Sequence, residues 1–282
     1  MFKVGDFKVV LINDGITYVD PGGAFGLVPR ALWSRYKQVS DEGLVAMSQV
    51  CLLVQTPEGE NVVIDTGMGR KLNEKHAAIW RLQRPQGDLV EGLARAGVLP
   101  EEVHLVINTH LHMDHAGGST YRDGDAVLPT FPRAEYVVQR REYEDAMHPN
   151  ERTAATYHAE NFQPLVENGQ MRLLDGDTEL RPGITGIITR GHTPAHMSVR
   201  IESKGEAAAF LCDMASYAVH FERLGWMTAY DVEPLHTLET KRLWQQWAKD
   251  TNAILIFPHD MDRPIGRLNA NNIIEPIDEP FI

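Results

Sequence analysis

The sequence predicts an α/β domain in which two sheets pack face to face and helices cover the outside. Three observations carry this: short apolar runs rich in β-branched residues recur in both halves, helix-like segments are interspersed among them, and no composition break, linker or internal repeat divides the 282 residues. A chain of this length can bury a sizeable core as one large domain or two modest ones. The unbroken composition favours one, spanning 1–282.

In order, "FKVVLIND" (7–14) and "SQVCLLVQT" (48–56) read as strands, and "PEGE" (57–60) as the hairpin turn into "NVVIDTG" (61–67). Between the first two lies a segment at 20–36 rich in glycine, proline and aromatics, read as a loop with apolar contacts of its own. A helix is expected over 86–97, stopped by Gly97 and Pro100, and then a strand, "VHLVINT" (103–109). Further on, "AEYVVQ" (134–139) reads as a strand, "RREYEDAM" as a helix, and 151–168 as helical. Three more strands follow at 184–193, 196–203 and 207–213. Segment 234–250 carries Leu238, Leu243, Trp244 and Trp247 near helical spacing, and "AILIFPHD" (253–260) is a last buried strand.

Composition narrows the function classes. The 27 basic residues face 39 acidic ones, a net charge of −12, which disfavours nucleic acid or an anionic membrane surface as the main partner. No stretch reaches 18 apolar residues, so membrane insertion is not expected, and "MFKVGDFKVV" lacks the h-region of a signal peptide. Cys51 and Cys212 both lie in apolar strand-like runs, and are expected as buried free thiols in a reducing cytoplasm.

The chemistry concentrates in "THLHMDHAGG" (109–118), directly after an apolar strand. Four side chains with lone pairs held so close are costly to desolvate unless a positive charge sits between them. On an extended segment residues i and i+2 point the same way, so His110 and His112 can converge on one metal ion. Beyond the turn, Asp114 and His115 can reach a second centre, with Gly117 and Gly118 letting the backbone bend behind them. His192, Asp213 and His259 each end an apolar strand and complete a set of seven. Imidazole and carboxylate without thiolate suit two zinc ions, with manganese, iron or cobalt as alternatives.

Taken in that order, "VVIDTG", "THLHMDHAGG", "GHTPAH", "LCD" and "FPHD" resemble the metallo-β-lactamase superfamily over nearly the whole chain. More closely, "YVDPGGAFGLVPRALWSRY", "FPRAEYVVQRREYEDAMHPNERTAATYHAENFQP" and "WMTAYDVEP" are similar to the YtnP-type quorum-quenching lactonases, a branch related to the methyl parathion hydrolase group. The resemblance implies a four-layer αββα sandwich with the dinuclear site along the edge of its sheets. It also implies His110, His112 and His192 at one ion, Asp114, His115 and His259 at the other, Asp213 bridging, and Asp65 orienting a ligand by a hydrogen bond. A plain strand-end turn is the other role open to Asp65.

Two metals ~3.5–4 Å apart can hold a bridging hydroxide while polarising a carbonyl. Bringing water's pKa from about 15.7 to about 7 is equivalent to roughly 12 kcal/mol of deprotonation free energy. The expected reaction is therefore hydrolytic opening of an N-acyl homoserine lactone, with Asp114 or Asp213 moving the proton. An organophosphate triesterase, or a general lactonase or esterase, is the rival on the same metals. Thioester hydrolysis of the glyoxalase type is disfavoured, because only 23 residues follow His259. Some lactonases place a tyrosine three residues after the bridging aspartate; here that position is Ser216, which leaves Tyr217 and His220 as candidates. His196 reads as a structural histidine or one supporting a ligand. Phe25, Leu27, Trp33, Phe221, Trp226 and Met227 are candidate walls of an acyl cleft, or else pack in the core or at a subunit interface. A homodimer covering the 20–36 segment is expected.

Overall fold

The computed structural model describes all residues, 1–282. The first half contributes β1 (Phe2–Val4), β2 (Phe7–Val19), β3 (Val45–Gln55), β4 (Asn61–Ile64), β5 (Val103–Ile107), a hairpin of β6 (Thr120–Asp123) and β7 (Ala126–Pro129), then β8 (Glu135–Gln139) and β9 (Met171–Leu174). The second half contributes β10 (Thr178–Arg181), β11 (Ile184–Ile188), β12 (Met197–Ser203), β13 (Glu206–Phe210), β14 (Ile254–Ile256), β15 (Ile265–Leu268) and β16 (Ile274–Pro276). The helices are α1 (Pro21–Phe25), α2 (Arg30–Trp33), α3 (Glu74–Trp80), α4 (Leu89–Arg95), α5 (Met113–Ala116), α6 (Arg140–Met147), α7 (Gln163–Glu167), α8 (Ala218–Glu222) and α9 (Pro234–Thr251). One seven-stranded sheet runs β1-β2-β3-β4-β5-β8-β9 and the other β10 to β16 in chain order.

The layers follow from the strand period of two. On β3, Val50, Leu52 and Val54 point between the sheets, where 24 buried residues form one core, while Cys51 and Leu53 point outward beneath α4, α6 and α7. On β13, Ala208 and Phe210 face inward, whereas Ala207 and Ala209 lie against Trp244 and Ala248 of α9. Strands covered on both faces must be apolar along their whole length, which explains runs such as "VCLLV". The result is one domain of four layers, helix, sheet, sheet, helix.

Topology gathers the strand ends. β4 and β5 are parallel, and so are β13 and β14. β11 is antiparallel to β12 and β12 to β13, so β11 runs with β13. Within each sheet these strands end on one side, and the contact of His115, after β5, with Asp213, after β13, makes the two sides one edge of the sandwich, the side where open α/β sheets bind ligands.

Several elements differ from expectation. Segment 20–36 is not a loop but holds α1 and α2, started by the Asp20 carboxylate, which accepts from Gly22 N–H. Phe25 and Trp33 then stack at 5.2 Å, and the segment carries a small core of its own. Of the helix expected over 151–168 only α7 and a 3-10 turn at Ala159–Asn161 form, because Asn150 ties 152 and 153 into an Asx turn instead. α9 buries Thr237, Lys241, Trp244 and Ala248, whereas Leu243 is 72% exposed. There Lys241 is satisfied by the carbonyls of His220 (3.1 Å) and Trp226 (2.6 Å). α3 buries no side chain, and its seven residues, EKHAAIW, are too few to carry a periodic signal.

Candidate metal centre

Four of these strand ends bring all seven predicted ligands together, and the fifth, that of β4, brings Asp65 behind them. After β5 the chain delivers His110, His112, Asp114 and His115; His192, Asp213 and His259 follow β11, β13 and β14. Ligand atoms of His110, His112 and His192 lie within 4.8 Å of one another, as do those of Asp114, His115 and His259. Asp213 stands between the two groups. Its Oδ2 is 3.2 Å from His192 Nε2 and 3.4 Å from His115 Nε2, and its Oδ1 is 3.0 Å from His259 Nε2.

Four of the five imidazoles are held from behind. His115 Nδ1–H donates to Asp65 Oδ2 (2.9 Å), His192 Nδ1–H to Asp231 Oδ1 (3.0 Å), and His259 Nδ1–H to the Ser48 carbonyl (2.8 Å). Thr109 Oγ1 donates to Asp65 Oδ2 (2.8 Å), and so accepts from His110 Nδ1 (3.1 Å). These bonds fix the tautomers, leaving the Nε2 lone pairs facing inward. His112 is turned the other way, with Nδ1 3.1 Å from His192 Nε2. Nε2 of His110, His115 and His259 is buried without a hydrogen-bond partner. A lone pair buried in that way is costly unless a cation takes it. The residues present fit a metal centre.

The electrostatics divide the cluster. Burial and the surrounding imidazoles push His110 well below the ordinary histidine range, so it stays a neutral donor. Burial alone would raise the Asp213 carboxyl, but positive charge on His259, His192 and His115 outweighs it, and Asp213 in turn pushes His115 and His192 up; a metal cation would take over that positive charge and leave the imidazoles neutral donors. Asp65 and Cys212, which flank the site, both adopt left-handed backbone (φ 56 and 51), a conformation non-glycine residues hold only under constraint. Gly117 and Gly118 serve close approach: a Cβ there would lie 2.3 Å from Met68 O and 2.2 Å from Thr66 O. His196 accepts from Asp213 N–H (3.1 Å), supporting that residue from below.

A cavity opens over the centre. Its polar lining includes His112, Asp114, His192, Asp213 and Ser216, and its apolar lining Val19, Met47, Met68, Trp80 and Met113. Of the six residues expected to wall an acyl cleft, the structure brings none to it. Phe25, Trp33 and Phe221 are buried in cores elsewhere, Trp226 packs edge-on to Phe25 and Tyr36, Met227 is half-buried outside the cavity, and Leu27 is fully exposed. Tyr217 and His220 are also placed away from it. Tyr217 stacks on Phe25 at 5.6 Å, and His220 sits edge-on to both rings, because aromatic surface buried in a stack is worth more than a phenol turned to water. Sequence reasoning missed Asp231 behind His192, and Tyr230 on the cavity rim. Both lie in "WMTAYDVEP", where only the apolar Trp226 and Met227 drew attention beside the family resemblance.

Comparison with known proteins agrees with this geometry. Residues 44–259 match the metallo-beta-lactamase superfamily. An N-acyl homoserine lactonase of a Bacillus species is 32% identical over 226 residues, covering 77% of this chain and 82% of the relative. A probable metal-dependent hydrolase from Staphylococcus aureus, 28% identical, superposes with a TM-score of 0.89 over 100% of this chain and 98% of its own. AidC, a dizinc quorum-quenching lactonase solved with a bound product, N-hexanoyl-L-homoserine, reaches a TM-score of 0.78 over 100% and 97% of the two chains. At 20% identity that last likeness shows the fold alone. Shared motifs and a fold matched from end to end lead to one conclusion: the chain belongs to the metallo-β-lactamase superfamily and is one of its metal-dependent hydrolases.

Proposed function

We propose that this chain opens the lactone ring of N-acyl homoserine lactones on a dinuclear centre. In this reading His110, His112 and His192 hold one ion, Asp114, His115 and His259 the other, and Asp213 lies between them. The observation that carries it is the convergence of three buried, unpartnered Nε2 atoms on Asp213 beneath a cavity lined by both polar and apolar side chains. The relatives named as lactonases support the substrate class. Zinc suits the nitrogen and oxygen donors best, with manganese, iron or cobalt as the alternatives.

Two bound ions would supply a nucleophilic hydroxide at neutral pH and Lewis-acid pull on the carbonyl. The chain supplies the rest. Val19, Met47, Met68, Trp80 and Met113 receive the acyl chain and keep water from it. Tyr230, whose phenol is pushed up to about 12 by burial and by Asp114, Asp20 and Asp213, stays protonated and offers a hydrogen bond from the rim. As water adds to the carbonyl carbon, the ring C–O bond breaks and its oxygen needs a proton. Asp114, with 24% of its side chain exposed against 7% for Asp213, is the carboxyl better placed to exchange that proton with solvent.

The test is a hydrolysis panel on the metal-loaded protein: acyl homoserine lactones, simple lactones, a phosphotriester, a thioester and a β-lactam. Acyl homoserine lactones should be turned over with the highest kcat/KM. A phosphotriester hydrolysed faster than every lactone would reverse this reading in favour of the triesterase.

We also propose a cytoplasmic homodimer. Leu27 and Leu32, 101% and 42% exposed, support a covered face, and the two free, buried cysteines support a reducing compartment. No helix is long and apolar enough to cross a membrane.

A further inference from the structure

We infer that Lys37 and Asp260 form a buried positioning pair that sets His259 relative to Asp213, and so tunes the second of the two metal centres. The inference rests on the two-centre reading above. Asp260 directly follows His259 in the chain and is fully buried, and the Lys37 side chain is 6% exposed. The Lys37 ammonium donates to Asp260 Oδ1 and, at 2.6 Å, to Asp262 Oδ2. Asp260 Oδ1 also accepts from the N–H groups of Asp262 and Arg263, both at 3.1 Å, which folds the turn after His259. Its Oδ2 accepts from Ala218 N–H at 3.0 Å.

That last bond carries the argument. Ala218 opens α8, two residues past Ser216, whose hydroxyl donates to Asp213 Oδ1 (3.0 Å) and whose carbonyl accepts from His259 N–H (3.2 Å). Asp260 therefore joins the segment carrying Asp213 to the segment carrying His259. Lys37 joins both to the segment with α1 and α2, and its ammonium lies 5.1 Å from the centre of the Tyr217 ring, which also stacks on Phe25. Neither member of the pair touches the substrate cavity. A buried ion pair seldom stabilises a fold more than apolar side chains of equal volume would, whereas its directionality can select one geometry. Here the geometry selected is the spacing of His259 and Asp213.

The experiment is a stepwise zinc titration against a chromophoric chelator on the full chain, with circular dichroism as a check of folding. His259→Ala marks loss of the second centre. Lys37→Met should weaken the step lost in His259→Ala by about 10–100-fold, the range seen when a group orienting a metal ligand is removed, and leave the other step within threefold of the parent. Lys37→Arg, which keeps the charge and the donors, should restore most of the affinity. Should Lys37→Met fail to fold, Lys37→Met/Asp260→Leu, which leaves no lone buried charge, is titrated in its place with the same expectation. Both steps unchanged, both weakened equally, or neither variant folding would overturn the inference, the last two by reducing the pair to a general support of the fold. A parent that binds zinc in a single step would instead overturn the two-centre reading, and the inference with it.

Discussion

Replacing Asp65 by asparagine should weaken one metal centre and spare the other. Asp65 Oδ1 accepts from Thr109 N–H (2.8 Å), and Oδ2 accepts from Thr109 Oγ1 (2.8 Å) and His115 Nδ1 (2.9 Å). Asparagine keeps the shape and tolerates the left-handed backbone at this position (φ 56). It has one acceptor oxygen for these three donors and the Cys212 thiol (3.4 Å from Oδ2), so the groups on one side, His115 Nδ1–H or Thr109 N–H among them, face an amide N–H. Hydrogen bonds to a charged acceptor contribute roughly 1.5–3 kcal/mol. Losing the one that orients His115 corresponds to about 10–100-fold in affinity for the ion held by Asp114, His115 and His259. Asp231→Leu is the mirror experiment, because Asp231 Oδ1 accepts from both His192 Nδ1 and Thr228 Oγ1, so asparagine would keep the acceptor that leucine removes from the other triad. Metal content after dialysis against graded chelator, measured with circular dichroism on the same samples, separates the two. If Asp65→Asn retained both metals at the parent's affinity and full activity, the tautomer argument would be refuted.

Asp213→Asn should be far more damaging than Tyr217→Phe, since Asp213 lies against His115, His192 and His259 while the Tyr217 hydroxyl makes one long contact, 3.5 Å, to the Ala46 carbonyl. Steady-state kinetics on both variants checks the order, and kcat for Tyr217→Phe should stay within about tenfold of the parent, the value of one ordinary hydrogen bond. Trp80→Ala should lower kcat/KM for long-chain acyl homoserine lactones more than for short ones. Each fully buried CH₂ contributes up to about 0.8 kcal/mol, near fourfold per carbon, and partial exposure reduces it. Equal losses across the series would remove Trp80 from the acyl wall. Light scattering at micromolar concentration should give twice the chain mass; a monomer would end the dimer proposal.

The candidate ligands were legible because each obeys a local rule. A histidine or aspartate directly after a buried strand cannot be solvated there, so its residue type already reports a partner. The same holds for Asp65, whose carboxylate ends "VVID" and now accepts from His115. The substrate wall was not legible. Phe25, Trp33 and Phe221 have the composition of a cleft, yet any apolar surface within reach satisfies an aromatic ring equally well. Phe25 and Trp33 found each other and Tyr217, and Phe221 found the core beneath α9. Trp80 was invisible for the opposite reason: its helix buries nothing, so no periodicity marks it.

Residue type and strand period thus mark which side chains could hold metal and call for two packed sheets under helices, while the edge position of the site came with the family resemblance. Strand periodicity and the chemistry of buried lone pairs both act within a few residues along the chain. Which side chains stand behind each ligand, and which ones line the cavity, follows from packing in three dimensions. Asp231 meets His192 across 39 positions, and Lys37 meets Asp260 across 223. Contacts of that span are set by how the sheets and loops pack, and local pattern carries no trace of them.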